Sequence, residues 1–252
     1  MTRATVASAA LLLVLLSGCT TASAGGPTAV LPPAGAGFDY QLGGASDAPE
    51  GATIVARDST AAPAGAGYDI CYLNGFQTQP ADAEHWLTER PELLLRDAAG
   101  DPIADPAWPD EYLFDTTTPL LRSAIVALLA PDITACADAG FHAVEFDNLD
   151  SYTRVPDRLT IEDNIALASA LAELAHDRGL AVAQKNAAAD SVRLRDEVGF
   201  DFAVAEDCAQ FGECAAYVDA YGDLVYDIEY DAAFLAAACE ACLLYTSPSP
   251  RD

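Results

Sequence analysis

A parallel β/α barrel is the fold class that this chain of 252 residues predicts, and three observations predict it. Eight short apolar segments recur along the chain with helical patterns between several of them, the order that builds parallel strands joined by crossovers. The stretch that holds them, residues 38–241, lies near the lower end of the roughly 200–250 residues typical of an eight-fold barrel. The segments also close on carboxylates and amides, as barrel strands do on the rim where sites are built. A doubly wound open sheet is the alternative. No glycine-rich phosphate loop follows any early segment, so nothing in the sequence supports nucleotide binding.

The segments ahead of the barrel read as export and tethering. MTR and a short apolar run end in LSGC at residues 16–19. The run is shorter than the roughly 20 residues a membrane span needs. Residues 1–18 are therefore expected to be a lipoprotein signal, with Cys19 as the lipidated N-terminus that anchors the protein outside the cytoplasm. Residues 19–37 are small, Gly/Pro-rich and uncharged, and read as a flexible tether.

Strand candidates follow at 38–44, 52–60, 68–74, 111–119, 141–148, 179–186, 200–207 and 223–230. One helix is expected from Pro119 to a C-cap at Gly140. Another starts behind Thr160, with Asp163 three residues on, and closes at Gly179. The last eleven residues, CLLYTSPSPRD (242–252), match one reading frame of a widely used transposase sequencing adapter. They are expected to be non-native, with the natural chain running on.

Composition narrows the partners. With 52% hydrophobic and 20% charged residues the chain is globular rather than disordered. Its formal net charge of −27, with Lys185 as the sole lysine, argues against nucleic acid and suits a cationic ligand. Setting aside Cys19 and Cys242, the cysteines are 71, 136, 208, 214 and 239. In an oxidising compartment such residues pair. Cys208 and Cys214 bracket a short loop that a disulfide would close, Cys71 and Cys136 form a second candidate pair, and Cys239 is left over. The competing zinc reading lacks a CxxC pair and a nearby histidine.

The stretch HAVEFDNLDSY (142–152) carries Glu145, Asp147 and Asp150 where a buried strand should end. Carboxylates at that density repel one another and resist burial. Other segments close in the same way, on Asp58, Asn74, Asp115, Lys185 with Asn186, Glu206 with Asp207, and Glu229. On a barrel these ends share one rim.

The strings YLNGFQTQP, HAVEFDNLDSY, AQKN, VAEDC and IEYD together resemble glycoside hydrolase family 114, endo-α-1,4-polygalactosaminidases on a TIM-like barrel. The resemblance covers about residues 38–241 and implies a TIM-like (β/α)8 barrel; this chain is expected to depart from it in ending early, short of the last helix. It implies Asp147 as nucleophile and Glu206 as acid/base, with no cofactor or metal. It also implies a cationic amino-sugar polysaccharide as partner; the lipoprotein signal adds a membrane tether, and the protein is expected to be a monomer.

The residues agree, because glycoside hydrolysis needs two carboxyls facing each other across the scissile bond in different environments. Lys185 beside Asp147 would hold it ionised, and the apolar strand before Glu206 would raise the pKa of Glu206. Gln41, Asn74 and Asn186 offer neutral hydrogen bonds to sugar hydroxyls, and Asp58, Asp150, Lys185 and Glu229 offer charged ones. Glu145 and Asn148 shape the site; Tyr152, Trp108 and Phe211 offer faces for stacking. His142 is expected to be structural, and His85 and His176 to have no role. Two rival readings are a metal-dependent hydrolase with Asp147, Asp150 and Glu206 as ligands, and a non-catalytic polysaccharide-binding lipoprotein.

Overall fold

The protein is described by a computed structural model that covers Met1 and residues 28–240. The signal, Cys19 and residues 242–252 lie outside the described residues. Among the described residues, seven parallel strands form one sheet in sequence order: β1 Gly37–Gln41, β2 Ala52–Asp58, β3 Tyr68–Asn74, β4 Ala143–Asp147, β5 Ala181–Lys185, β6 Phe202–Glu206 and β7 Val225–Ile228. The sheet curls into a nearly closed barrel of the (β/α)8 type. Each strand turns alternate residues inward. Tyr40, Ile54, Ile70, Ala143, Ala183, Val204 and Ile228 are among those that fill the interior as one buried cluster. The Phe38 and Tyr226 rings, 5.6 Å apart, link β1 to β7 across the unpaired side.

The outward faces of the strands pack against the helices in a second, larger cluster. The helices are α1 Ala83–Glu89, α2 Pro119–Ala139, α3 Ile161–His176, α4 Ser191–Arg193 (running on into a wide π-type turn, Leu194–Val198), α5 Cys208–Phe211, α6 Cys214–Tyr221 and α7 Leu235–Glu240. α2 begins as its sequence dictates, with Pro119 in its first turn and the Thr118 side chain accepting from Leu121 N. It ends at Gly140, whose φ of 94° is left-handed. α3 carries the full reciprocal capping box of Thr160 and Asp163.

One strand expectation fails. Residues 111–119 do not join the barrel. Tyr112, Leu113 and Phe114 instead make single antiparallel bridges to Ala104, Gln77 and Leu94 within the long excursion between β3 and α2. The apolar run looks like a strand because Leu113 and Phe114 are both buried. They are covered by the excursion itself, Phe114 by Trp86 with rings 4.5 Å apart. Asp115 accordingly leaves the rim and accepts from Thr117.

Both expected disulfides are present. Cys71–Cys136 ties β3 to α2, and Cys208–Cys214 closes the turn after β6. Cys239 is exposed and free among the described residues.

Candidate active site

Three consecutive strands deliver charge to one point. Asp147 ends β4, Lys185 ends β5 and Glu206 ends β6, all with the inward parity of their strands. A non-glycine residue in the left-handed region follows each: Asn148 at φ 65°, Asn186 at φ 51° and Asp207 at φ 54°. Asn and Asp tolerate that conformation better than other L-residues. The chain therefore turns sharply at the rim directly after each functional side chain.

Lys185 is the hub. Its side chain is 1% exposed, and its ammonium lies 3.1 Å from Glu206 Oε2, 3.5 Å from Asp147 Oδ2 and 3.7 Å from Glu145 Oε1. It donates to Tyr40 Oη at 3.0 Å, and Tyr40 donates to Glu145 Oε1 at 2.8 Å. Burial opposes the ammonium charge, but Asp147, Glu206 and Glu145 outweigh it and hold the Lys185 pKa above its ordinary value.

Asp147 accepts from Tyr72 Oη at 2.7 Å and from the Asn148 N–H at 2.7 Å. Glu206 accepts from Asn186 Nδ2 at 2.9 Å and from Tyr230 Oη at 2.6 Å. Asp207 accepts from the Tyr230 N–H and so fixes that ring's approach. The expectation of a raised pKa at Glu206 is overturned. Burial does push it up, but Lys185, Tyr230 and Asn186 prevail and bring it below the usual glutamate value. The apolar strand predicted the desolvation and missed the donors. Glu145, with no exposed surface and one oxygen unpartnered, is the group that burial raises, to about 7, against the opposing pull of Lys185 and Tyr40.

Asp147 and Glu206 open onto a cleft of about 520 Å3, walled by residues that include Asp58, Trp108, Glu111, Asp150 and Tyr230. It continues into a hollow of about 930 Å3 past Tyr152, Asp190, Phe211 and Glu213. Lys185 and Arg154 are the cations on these walls, against carboxylates at 58, 111, 147, 150, 190, 206, 207 and 213. Asp150 pairs with Arg154 at 3.1 Å, and Tyr152 donates to Asp190 at 2.6 Å.

Three expected contact residues are not on the cleft. Gln41 has the outward parity of β1, where it accepts from Arg57 Nε at 2.9 Å and from the Ser46 N–H. Glu229 falls on the outward side of the β7 end, accepts from the Ala209 N–H and hydrogen-bonds to Asp227. Asn74 lies beneath the floor, donating to Glu111 at 2.9 Å and accepting from Asn148 Nδ2 at 3.0 Å. Its role is to orient Asn148 and the turn after Asp147. His142 is structural, stacked on Tyr68. His176 does have a partner, Asp201 at 2.8 Å, which ties the end of α3 to the chain just ahead of β6.

Tyr40, Tyr72, Glu111, Arg154 and Tyr230 were not singled out from sequence. The left-handed Asn or Asp after each rim residue was visible there as D-N, K-N and E-D. Nothing in the sequence marked the tyrosines, whose hydroxyls arrive from other strands. Of the carboxylates that a metal reading would use, Asp147 and Glu206 converge on the Lys185 ammonium and Asp150 pairs with Arg154.

Residues 19–246 match the profile of glycoside-hydrolase family GH114. The chain belongs to that family. GH114 membership makes this protein a glycoside hydrolase. The crystal structure of Aspergillus fumigatus Ega3 in complex with galactosamine is similar to it with a TM-score of 0.67 and 23% identity, over 88% of this chain and 94% of that one. An α-galactosidase from Thermus thermophilus, in complex with p-nitrophenyl α-D-galactopyranoside, has a TM-score of 0.50 and 14% identity, over 89% of this chain and 60% of that one. At such identities the likeness concerns the barrel. No curated protein sequence matches.

Proposed function

We propose that this GH114 hydrolase cleaves internal α-1,4-galactosaminidic bonds of a cationic amino-sugar polysaccharide with retention, Asp147 being the nucleophile and Glu206 the acid/base. The observation that carries the reading is the pair of rim carboxylates bridged by one ammonium inside an acidic cleft. Asp147 attacks the anomeric carbon while Glu206 protonates the leaving oxygen, and Glu206 then activates the water that releases the glycosyl-enzyme. The shared contacts with Lys185 limit the separation of the nearest Asp147 and Glu206 oxygens to about 6.6 Å, the sum of 3.5 and 3.1 Å. That bound is compatible with the roughly 5–5.5 Å between the carboxyl groups of retaining enzymes.

Substrate class rests on charge. A chain of free amino sugars is polycationic, and the cleft walls carry carboxylates in excess. Trp108 and Phe211, 62% and 64% exposed, offer faces along the groove. The lipobox ending at Cys19 and the tether behind it support an extracytoplasmic, membrane-anchored enzyme.

The test is product analysis on partially deacetylated galactosaminogalactan, with the first-formed anomer read by NMR before mutarotation. An α-anomer and internal cuts are expected. A β-anomer would rule out retention, binding without product would make the domain a non-catalytic binder, and full turnover by Asp147→Asn would remove the site.

A further inference from the structure

Buried charges are expected to be paired, and one carboxylate on the cleft wall is not. Glu111 is 9% exposed and lines the cleft together with Asp147 and Trp108. The two cations on these walls serve other carboxylates. Lys185 meets Glu145, Asp147 and Glu206, and Arg154 meets Asp105 and Asp150. Glu111 has no ion pair among the described residues. Its Oε2 accepts from Asn74 Nδ2 at 2.9 Å and from Gln77 Nε2 at 2.5 Å. Its Oε1 accepts from no group among the described residues, and it is not one of the side-chain oxygens sealed from solvent. Two neutral amides thus hold one oxygen while the other is presented to the cleft.

The backbone around Glu111 fixes this presentation. Its N–H donates to Trp108 O at 2.9 Å, and its carbonyl accepts from the Asp105 N–H at 2.8 Å. One turn therefore puts the exposed Trp108 ring and the Glu111 carboxylate on the same wall. Asn74 closes β3 in register with Asp147 at the end of β4, and it also accepts from Asn148 Nδ2 at 3.0 Å. Around the rim, Glu111 is held at the end of β3, with Asp147 on β4, Lys185 on β5 and Glu206 on β6. Glu111 thus lies on the far side of Asp147 from the acid/base. Burial raises the Glu111 pKa, the Gln77 amide opposes it, and the charge of Asp147 raises it further, a mark of how near the nucleophile stands.

We propose that Glu111 binds the ammonium group of the amino sugar that Asp147 attacks, and so selects a deacetylated unit on that side of the cut. An ammonium supplies the cation that this side chain lacks, through a charge-assisted hydrogen bond to Oε1. A sugar hydroxyl or an N-acetyl amide carries no charge to offset the buried carboxylate, and its hydrogen bond is correspondingly weaker. The other wall carboxylates attract a polycation in general; Glu111 reads one position of it. The inference rests on the assignment of Asp147 and Glu206 and on the amino-sugar substrate above, and it goes beyond them in giving the preference to one residue and one subsite.

The products carry the record. Each cut leaves the unit that Asp147 attacked at a new reducing end, and its former neighbour at a new non-reducing end. On partially deacetylated galactosaminogalactan the native enzyme should therefore release fragments whose reducing ends are almost all galactosamine. Glu111→Gln keeps the shape and an acceptor for both amides but removes the charge. Its reducing ends should shift towards the composition of the polymer, while the new non-reducing ends stay as in the native digest. On the fully deacetylated polymer kcat/KM should fall by about tenfold or more, the worth of one hydrogen bond to a charged group.

A merely structural role would lower turnover and leave the reducing ends unchanged, and that result would overturn the proposal. So would native products whose reducing ends mirror the polymer, a test that holds even where Glu111→Gln does not fold. Absence of cleavage by the native enzyme, or full turnover by Asp147→Asn, would overturn the underlying site assignment instead.

Discussion

Replacing Lys185 with Met keeps length and shape and removes the one cation that Asp147, Glu206 and Glu145 share. The Lys185 side chain is 1% exposed and Glu145 is 0%, so the orphaned negative charge has little access to water. Breaking a buried ion pair by removing one partner costs about 3–5 kcal/mol. For a domain of this size that corresponds to a drop in Tm of roughly 6–20 °C, at about 2–4 °C per kcal/mol.

The pH dependence follows from Glu145. Its folded pKa, about 7, is above its ordinary 4.5, so the folded state holds a proton that the unfolded state has lost between those values. Stability therefore falls as pH rises through that window and levels off above it. Lys185 is one of the groups that pull Glu145 down, so in Lys185→Met the window extends to higher pH and the fall continues. The deficit relative to the native protein should be largest near pH 8 and should shrink towards pH 5, where Glu145 is neutral in both. Urea unfolding followed by circular dichroism at the two pH values, with m compared to check two-state behaviour, measures it. A deficit below about 1 kcal/mol near pH 8, or one equal at both pH values, would refute the claim that Lys185 neutralises a buried carboxylate cluster.

Asp227, which burial and then its hydrogen bond with Glu229 raise to about 8, retains a folded-state proton between its ordinary 3.8 and that value. Stability should decline across this range, and Asp227→Asn, which keeps the acceptor for the Cys208 N–H, should flatten that part of a Tm–pH curve; an unchanged slope would exclude the pair. Trp108→Ala should raise KM by about three- to tenfold with kcat nearly unchanged, since a stacking face on the cleft wall binds ground and transition states alike; a fall in kcat alone would contradict stacking. Raising salt should weaken binding of the deacetylated polymer and leave the fully N-acetylated one unaffected, because only the former relies on charges screened within about 8–10 Å; equal salt responses in equilibrium binding would remove charge from the recognition. Cys19→Ala should move the protein from the membrane fraction to the soluble fraction, and a variant still sedimenting with membranes would count against lipidation.

How far the sequence could be read depended on whether the deciding interaction was local. The strands β1–β3 and β4–β7 were legible because strands buried on both faces leave short apolar runs of seven residues or fewer. α3 was legible because Thr160 and Asp163 close a cap within one turn. Residues 111–119 were misread because burial of Leu113 and Phe114 comes from a loop excursion, and an apolar run carries no record of which neighbour covers it. Gln41 and Glu229 were placed by their nearness to strand ends, when parity along β1 and β7 turns them away from the cleft. The pKa of Glu206 failed for a related reason. The desolvation that raises it is written in its own strand, whereas the Lys185 ammonium, the Tyr230 hydroxyl and the Asn186 amide that lower it come from other segments.

The density of carboxylates around Asp147 makes physical sense only with the barrel in view. Glu145 and Asp147 share an inward face of β4, and a lone strand could not bury both. The parallel register sets Gln184 of β5 beside Phe146 of β4, and Lys185 of β5 beside Val204 of β6. One ammonium on the middle strand thus reaches carboxylates on both neighbours. An arginine would be a poor substitute in this position. Its planar fork suits one bidentate partner, while three carboxylate oxygens and a phenol approach Lys185 from β1, β4 and β6 and call for a compact charge with rotatable donors. A chain with a net charge of −27 has placed its sole lysine at this convergence. The ammonium draws two rim carboxylates, Asp147 and Glu206, towards one point on the cleft, and the same contact helps to lower the Glu206 pKa. Glu145, fully buried beneath them, is the member of the cluster that burial pushes up, so the one ammonium serves two carboxyls whose surroundings push them in opposite directions.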